Sequence, residues 1–382
     1  MAETARVAFR VLGSVQMTVD NKPLNLGSPK QRAVLATLII NRNHPVGFDT
    51  LVTDAWEDRP PRNPAASVHT YVAELRKVLK GAGVDPLGVL ASAPPGYRLD
   101  AGELGCDIDR FAAKHAAGMQ AMSQGRFEEA RLLLRAALNE WKGPVLADLR
   151  DLRFAQVFAS AIDRERLTAI DNWAESEIAC GRAQDILGEL EALVVEHTYE
   201  EPLWARLITA LYLTDRQSDA LATCRRLRKV LDDDLGLLPG QRIRDLEQRI
   251  LRQQPLEVKQ AAQSAAIDTI SLVSQSPIRS IGPVSVYLVE TETRNRHPLT
   301  SGVTKIGRLD DNDIVLADFA VSRYHGAIVD TRASHLVVDM HSRNGIEVDG
   351  QRITGTAPLV DGSVIAIGNH RFTFEMWPGV AG

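Results

Sequence analysis

Three polar clusters near the C-terminus hold the residue types best suited to chemistry. They are Lys305-Ile306-Gly307-Arg308, Val321-Ser322-Arg323-Tyr324-His325 and Ser342-Arg343-Asn344-Gly345. A guanidinium can grip two phosphate oxygens, a hydroxyl can donate to an oxygen, and a carboxamide can both donate to and accept from a peptide main chain. Together they suit a phosphate carried on an extended peptide. Short apolar runs must position them: Ser285–Val289, Ile314–Leu316, Ala327–Val329, Leu336–Val338 and Val364–Ile367. Their period-two alternation, broken by Gly, Asn and Asp, predicts strands, which puts the clusters on loops at a sheet edge.

The gap from Arg308 to Ser322, with Ser-Arg-x-His and Ser-x-Asn-Gly following, resembles a forkhead-associated (FHA) domain over roughly the last quarter of the chain. That resemblance implies an all-β sandwich that reads phosphothreonine, a group bringing about −1.5 to −2 charge and three acceptor oxygens. It assigns those oxygens to Arg308 and Ser322, with Arg323 as a further cation. Asn344 would hold the peptide main chain next to the phosphothreonine. His325 is expected to be architectural, bonding loop groups that position the serine. Gly307 and Gly345 are expected where a Cβ would obstruct the loop backbone. Ser342 either contacts the ligand or braces its own loop. Gly326 replaces the alanine usual in the family, and Tyr324 fills a variable position, so peptide preference stays open. The alternative is a degenerate FHA fold kept for packing.

At the other end, Val7–Leu12 and Val15–Val19 alternate around Gly13-Ser14, and Asp20-Asn21 turns into Pro23–Leu26. This predicts a short strand meander. Ser28-Pro29 reads as an N-cap and first helical position, opening a helix over Lys30–Asn41 with Val34, Leu35, Leu38 and Ile39 on its buried face. A second helix follows at Phe48–Trp56. Pro60-Pro61-Arg62-Asn63-Pro64 then breaks the chain before a third, Ala65–Lys80. Val68, Val72, Leu75 and Leu79 form that third helix's apolar stripe. Ala66, Thr70, Ala73 and Lys77 lie opposite, flanked by His69, Glu74 and Arg76. Small residues ringed by polar and basic ones let a helix approach a major groove closely. Val89–Ala93, Pro94-Pro95-Gly96 and Tyr97–Leu99 predict a hairpin.

The Gly-Tyr-Arg-Leu hairpin and the Leu75-Arg76-Lys77-x-Leu79 helix resemble the winged helix-turn-helix of OmpR-type response regulators. The reading gives phosphate contacts to Arg62, Lys77 and Arg98, and base edges to Thr70 and His69, with Arg76 in the same DNA-binding set. The alternative is a solvated helix face and a turn. Residues 1–100 carry 12 basic and 9 acidic side chains, against 21 and 26 over 101–255 and 11 and 14 over 256–382. Only the N-terminal segment leans basic, so nucleic-acid contact belongs there. Because the excess is small, binding should be modest and salt-sensitive, with dimerisation or recruitment supplying the rest.

From Cys106 to Gln254 the pattern is helical. Gly125-Arg126-Phe127-Glu128-Glu129-Ala130, Gly181-Arg182-Ala183-Gln184-Asp185 and Asp215-Arg216-Gln217-Ser218-Asp219-Ala220 look like one recurring helix start. Arg182 and Arg216 are 34 residues apart, the tetratricopeptide (TPR) period, whereas Arg126 and Arg182 are 56 apart, so a longer or inserted helix intervenes. Trp173, Trp204 and Tyr212 fit core positions better than a groove lining. Gly125–Ala130, Trp141–Leu146, Glu201–Trp204 and Leu235–Gly240 resemble the bacterial transcriptional activation domain of Streptomyces antibiotic regulatory proteins. The Ala-, Gln- and Ser-rich segment from Pro255 reads as a tether, in part helical.

The expected architecture is therefore multidomain α+β. It comprises a winged helix over 1–103, a TPR-like activation domain over 104–255, a linker over 256–283 and an FHA sandwich over 284–382. This order is similar to that of mycobacterial transcriptional regulators within the Streptomyces family, and the resemblance spans nearly the whole chain. It implies a DNA-binding regulator that docks a Thr-phosphorylated Ser/Thr protein kinase. Expected partners are double-stranded promoter DNA and that kinase, with RNA polymerase and self-association as candidates. The alternative is a protein that restrains or sequesters a kinase and has little DNA affinity.

Other classes are disfavoured. No Gly-x-x-x-x-Gly-Lys-Ser/Thr occurs, so no nucleotide-driven switch is expected, and neither a nucleophile–base pair nor a metal constellation stands out. An enzyme, a metal and a cofactor are therefore not expected. Cys106, Cys180 and Cys224 are odd in number and lack ligand spacing, and Cys180 and Cys224, set in helical patterns, read as buried thiols. The longest apolar run, Ala33–Ile40, is too short to span a bilayer, and Met1-Ala2-Glu3-Thr4 is unlike a signal head, so a cytoplasmic location is expected.

Overall fold

The computed structural model describes residues 6–274, 284–300 and 302–378. The chain divides into two compact units, one from 1–113, 139–165 and 272–382, the other from 114–138 and 166–271.

The first unit opens with the antiparallel sheet β1 (Val7–Arg10), β2 (Gln16–Val19) and β3 (Lys22–Pro23). The helix α1 (Pro29–Ile40) starts where Ser28 Oγ accepts the Gln31 N–H at 3.2 Å. Sequence periodicity predicts one buried face for α1, yet every residue from Ala33 to Ile40 is buried. Its surroundings explain this: neighbouring helices pack against it, and Gly302, from far along the chain, lies so close to Ile40 that a Cβ there would meet the Ile40 carbonyl at 2.5 Å. After β4 (Val46–Gly47) come α2 (Phe48–Trp56) and α3 (Pro64–Gly81). Asn63 caps α3 by accepting the Ala66 N–H, and Val68, Val72, Leu75 and Leu79 are its buried stripe. The short α4 (Pro86–Val89) leads into the hairpin β5 (Leu90–Ala93) and β6 (Gly96–Leu99), which pairs with β4 to form the wing.

Eight helices follow: α5 (Asp107–Ser123), α6 (Phe127–Leu138), α7 (Arg153–Ala179), α8 (Ala183–Glu196), α9 (Glu201–Leu213), α10 (Gln217–Leu235), α11 (Gln241–Leu251) and α12 (Val258–Ser274). The recurring starts are one physical device. Gly125, Gly181 and Asp215 adopt φ of 71°, 78° and 60°. The next residue is an arginine that pairs with an acid three positions on: Arg126 with Glu129, Arg182 with Asp185 at 3.1 Å and Arg216 with Asp219 at 2.7 Å. The long interval between the first two starts is filled by α7, which has 27 residues. Trp173 and Trp204 are buried in the helical core, and Tyr212 packs against it. Cys106 and Cys224 are buried, but Cys180 is only half-buried. The expected tether is largely α12, whose Ala262 and Ala266 are buried in the helical core; 275–283 lie outside the described residues.

The C-terminal region is a β-sandwich. Its strands are β7 (Val284–Glu290), β8 (Arg296–Pro298), β9 (Val303–Gly307), β10 (Ile314–Val315), β11 (Gly326–Asp330), β12 (His335–Asp339), β13 (Ile346–Val348), β14 (Gln351–Arg352), β15 (Thr356–Leu359), β16 (Val364–Ile367) and β17 (His370–Pro378). One sheet runs β10-β9-β11-β12-β15 and the other β14-β13-β16-β17-β7-β8. Ile306, Ile328 and Val337 from the first meet Leu288, Ile365, Phe372 and Phe374 from the second in a single core.

Within the first unit the sandwich is tied to the winged helix and to the start of α7. The Gly302 N–H donates to Asn41 Oδ1 at 2.7 Å, and Lys305 pairs with the buried Asp54. Thr331 Oγ1 donates to Glu165 Oε1 at 2.9 Å, and Ser334 Oγ donates to the same oxygen. Burial works against the Lys305 ammonium, but Asp54, Asp313 and Asp311 outweigh it and hold its pKa above the ordinary value.

Candidate functional site

Three loops converge at one end of the sandwich because the strands they join are neighbours. The segment after β9 carries Arg308, the approach to β11 carries Ser322 and Arg323, and the β12–β13 connection carries Ser342 to Gly345. The Arg308 N–H donates to the Ser322 carbonyl at 3.1 Å, the Arg343 N–H donates to Ser322 Oγ at 3.1 Å, and Asn344 Nδ2 donates to the Ala320 carbonyl at 2.7 Å. The expected trio of Arg308, Ser322 and Asn344 is thus brought together.

His325 is fully buried beneath them. Its Nδ1 accepts the Ser322 N–H at 3.0 Å, and Nε2 lies 3.0 Å from the Gly345 carbonyl. A backbone N–H can only donate and a carbonyl can only accept, so the ring proton resides on Nε2. This ring clamps two of the three loops. Ser342 Oγ accepts the Gly345 N–H at 2.9 Å, which braces its own loop. Gly345 has φ 78°, where a side chain would be strained, and a Cβ there would fall 2.6 Å from Arg352 Nε. Gly307 is constrained by space, since a Cβ would lie 2.3 Å from the Arg323 carbonyl.

A cavity of about 700 Å³ opens at these loops, lined by Arg308, Ser322, Arg323 and Arg343 among others. The guanidiniums of Arg308, Arg323 and Arg343 are exposed and have no acceptor among the described residues. Unpaired cations facing open volume, with a hydroxyl at its edge, can receive a multivalent oxyanion. Arg308 lies 5.7 Å from the ring centroid of Phe319, itself 96% exposed.

Sequence reasoning missed several participants. Arg343 stands inside the Ser-x-Asn-Gly motif, which is the sequence signal that marks it. Asn312, buried, donates from Nδ2 to the Leu309 and Arg323 carbonyls at 2.8 and 2.9 Å and so sets the Arg323 loop. Arg153, Gln156 and Ser160 of α7 also line the cavity. No local signal marks them, because the sandwich loops with which they share the cavity lie more than a hundred residues away in the chain.

The second candidate surface is α3 with the wing. Arg62, Thr70, Lys77 and Arg98 are exposed. Thr70 Oγ1 donates back to the Ala66 carbonyl at 2.9 Å. His69, exposed, and Arg76, half-buried, are each engaged by the wing. His69 Nδ1 lies 2.6 Å from the Tyr97 hydroxyl, with the Phe48 ring 4.8 Å away. Arg76 donates to the Leu90 carbonyl at 2.9 Å and Ser92 Oγ at 3.0 Å, and its guanidinium carbon lies 5.4 Å from the Tyr97 ring centroid. Both side chains therefore fasten the hairpin to α3.

Residues 21–99 match the family "Transcriptional regulatory protein, C terminal", residues 106–251 the bacterial transcriptional activator domain, and residues 304–368 the FHA domain. The chain is 50% identical over 377 residues to the transcriptional regulatory protein EmbR of Mycobacterium tuberculosis, covering 99% of this chain and 97% of EmbR. MoaR1 of the same organism is 44% identical over 252 residues, covering 66% of this chain and 81% of MoaR1. A solved structure of M. tuberculosis EmbR in complex with a low-affinity phosphopeptide superposes with a TM-score of 0.94 at 50% identity, covering 99% of this chain and 100% of that one.

Proposed function

The chain belongs to the EmbR family of transcriptional regulatory proteins, and from that premise we propose that it binds double-stranded promoter DNA through its winged helix and a Thr-phosphorylated Ser/Thr kinase through its FHA sandwich. Arg308 and Ser322 take the phosphate oxygens with Arg323 as a further cation, and Asn344 holds the peptide main chain. Ser342, His325, Gly307 and Gly345 shape the loops. Arg62, Lys77 and Arg98 contact DNA phosphates and Thr70 a base edge, while His69 and Arg76 act by holding the wing. The functional division runs 1–103, 104–255 and 284–382, joined through 256–283, and the protein acts in the cytoplasm without catalysis.

The observation that carries this reading is the set of unpaired guanidiniums around a cavity edged by a hydroxyl whose backbone is fixed by buried His325. The phosphopeptide held by the M. tuberculosis protein supports the same ligand class here. Calorimetric titration of the full chain with a phosphothreonine peptide and its unphosphorylated twin tests it. Only the phosphorylated peptide should bind, and Arg308→Ala or Asn344→Ala should abolish binding. Equal binding of both peptides overturns the assignment.

A further inference from the structure

The loops of the sandwich form only part of the cavity. The first two turns of α7 also line it, where Arg153, Gln156, Val157 and Ser160 recur at helical spacing. This helix belongs to another part of the sequence, yet its beginning is fixed against the sandwich. The Arg153 guanidinium lies 3.9 Å from the Tyr324 ring centroid, beside Arg323, and Glu165 accepts from Thr331 and Ser334 three turns further on. Arg153 is itself held by Glu57 at 3.1 Å and Asp58 at 3.3 Å. Gln156 and Ser160 are exposed.

Charge in the cavity exceeds what one phosphate needs. A phosphothreonine brings about −1.5 to −2, enough for two guanidiniums, but three stand there without acceptors. Asp339 is the one carboxylate lining the cavity among the described residues, and its Oδ1 already accepts the Ser342 N–H at 2.9 Å. Arg343 is left over.

We infer that the phosphopeptide site is composite, with α7 lining the cavity together with Arg343, and that this shared lining selects a peptide with a carboxylate or second phosphate flanking its phosphothreonine. The inference rests on the phosphothreonine reading and adds where the flank lies and what it carries. Gln156 and Ser160 supply neutral polar contacts to the flank and Arg343 supplies the charge.

The test uses the full chain and three phosphothreonine peptides whose flanks are neutral, acidic or basic, read by fluorescence anisotropy. The acidic peptide should bind about tenfold tighter than the neutral one and the basic peptide weaker still. Arg343→Ala should bring the acidic-to-neutral ratio to about one. Ser160→Glu, which places a like charge on the α7 wall without touching the sandwich core, should also collapse or reverse that ratio. Phosphate-dependent binding with no flank preference, or a preference that Ser160→Glu leaves intact, overturns the composite site while sparing the phosphothreonine reading. Loss of phosphate dependence itself would instead sink the earlier reading.

Discussion

His325 illustrates how a residue builds a binding site without facing the ligand. Its two ring nitrogens satisfy the Ser322 N–H and the Gly345 carbonyl at a fully buried position. Removing the ring orphans both groups and leaves a void. His325→Ala should therefore lower stability by about 2–4 kcal/mol and weaken phosphopeptide binding, measured by denaturant unfolding and by anisotropy. A variant that lost stability but bound peptide as well as the parent would contradict the clamp. The Ser-Arg-x-His motif made this residue legible in the sequence through its resemblance to the FHA family, which implies an architectural histidine. Arg153 was not legible: its stacking on Tyr324 depends on packing between distant segments.

At the scale of elements, α3 and the wing should separate two kinds of basic residue. Lys77 is exposed, so Lys77→Ala should weaken DNA binding and reduce the salt slope by about one. Arg76 joins α3 to β5, so Arg76→Ala should cost affinity by loosening the wing, with a smaller change in slope. A full unit of slope lost in Arg76→Ala would show that it contacts phosphate. The helical stripe of α3 was readable because Val68, Val72, Leu75 and Leu79 follow a 3.6-residue period. The Arg76 bonds were not, since side-chain direction within a polar face is set by the hairpin that packs there. The α5–α7 contact gives a pH prediction. His115, against Asn172 at 3.0 Å, is held by burial at a pKa of about 4, below its usual 6.5. The unfolded ring takes up a proton near 6.5 and the folded one resists, so this contribution is complete above 6.5 and is lost as pH falls towards 4. Stability should drop by on the order of 3 kcal/mol across that window, and His115→Gln should flatten the profile in urea titrations at several pH values.

At the scale of the whole molecule, the order of modules was readable because each carries its own periodicity and turn chemistry. The junction between winged helix and sandwich was not, because Asn41, Asp54, Gly302 and Lys305 look like ordinary loop and helix residues until they meet. Asp54→Ala removes the carboxylate paired directly with the largely buried Lys305 ammonium, leaving only the more distant Asp313 and Asp311, and should destabilise the protein by about 3 kcal/mol. Pairing Asp54→Leu with Lys305→Met should recover much of that loss in the same denaturation assay, since Thr37 keeps its bond to the Ala33 carbonyl. The same junction has Arg153 bonded to Glu57 at the end of α2 and stacked on Tyr324 at the cavity, so phosphopeptide binding and DNA binding should be coupled. Coupling of this kind is reciprocal and commonly worth fivefold or more in affinity. The most direct test is the affinity of the full chain for a duplex from its own upstream region, measured at fixed salt with and without saturating phosphothreonine peptide. A sequence-specific affinity that shifts at least fivefold, and fails to shift in Arg308→Ala, is the predicted result. An affinity indifferent to the peptide, or no preference for that duplex over random DNA, would contradict the account.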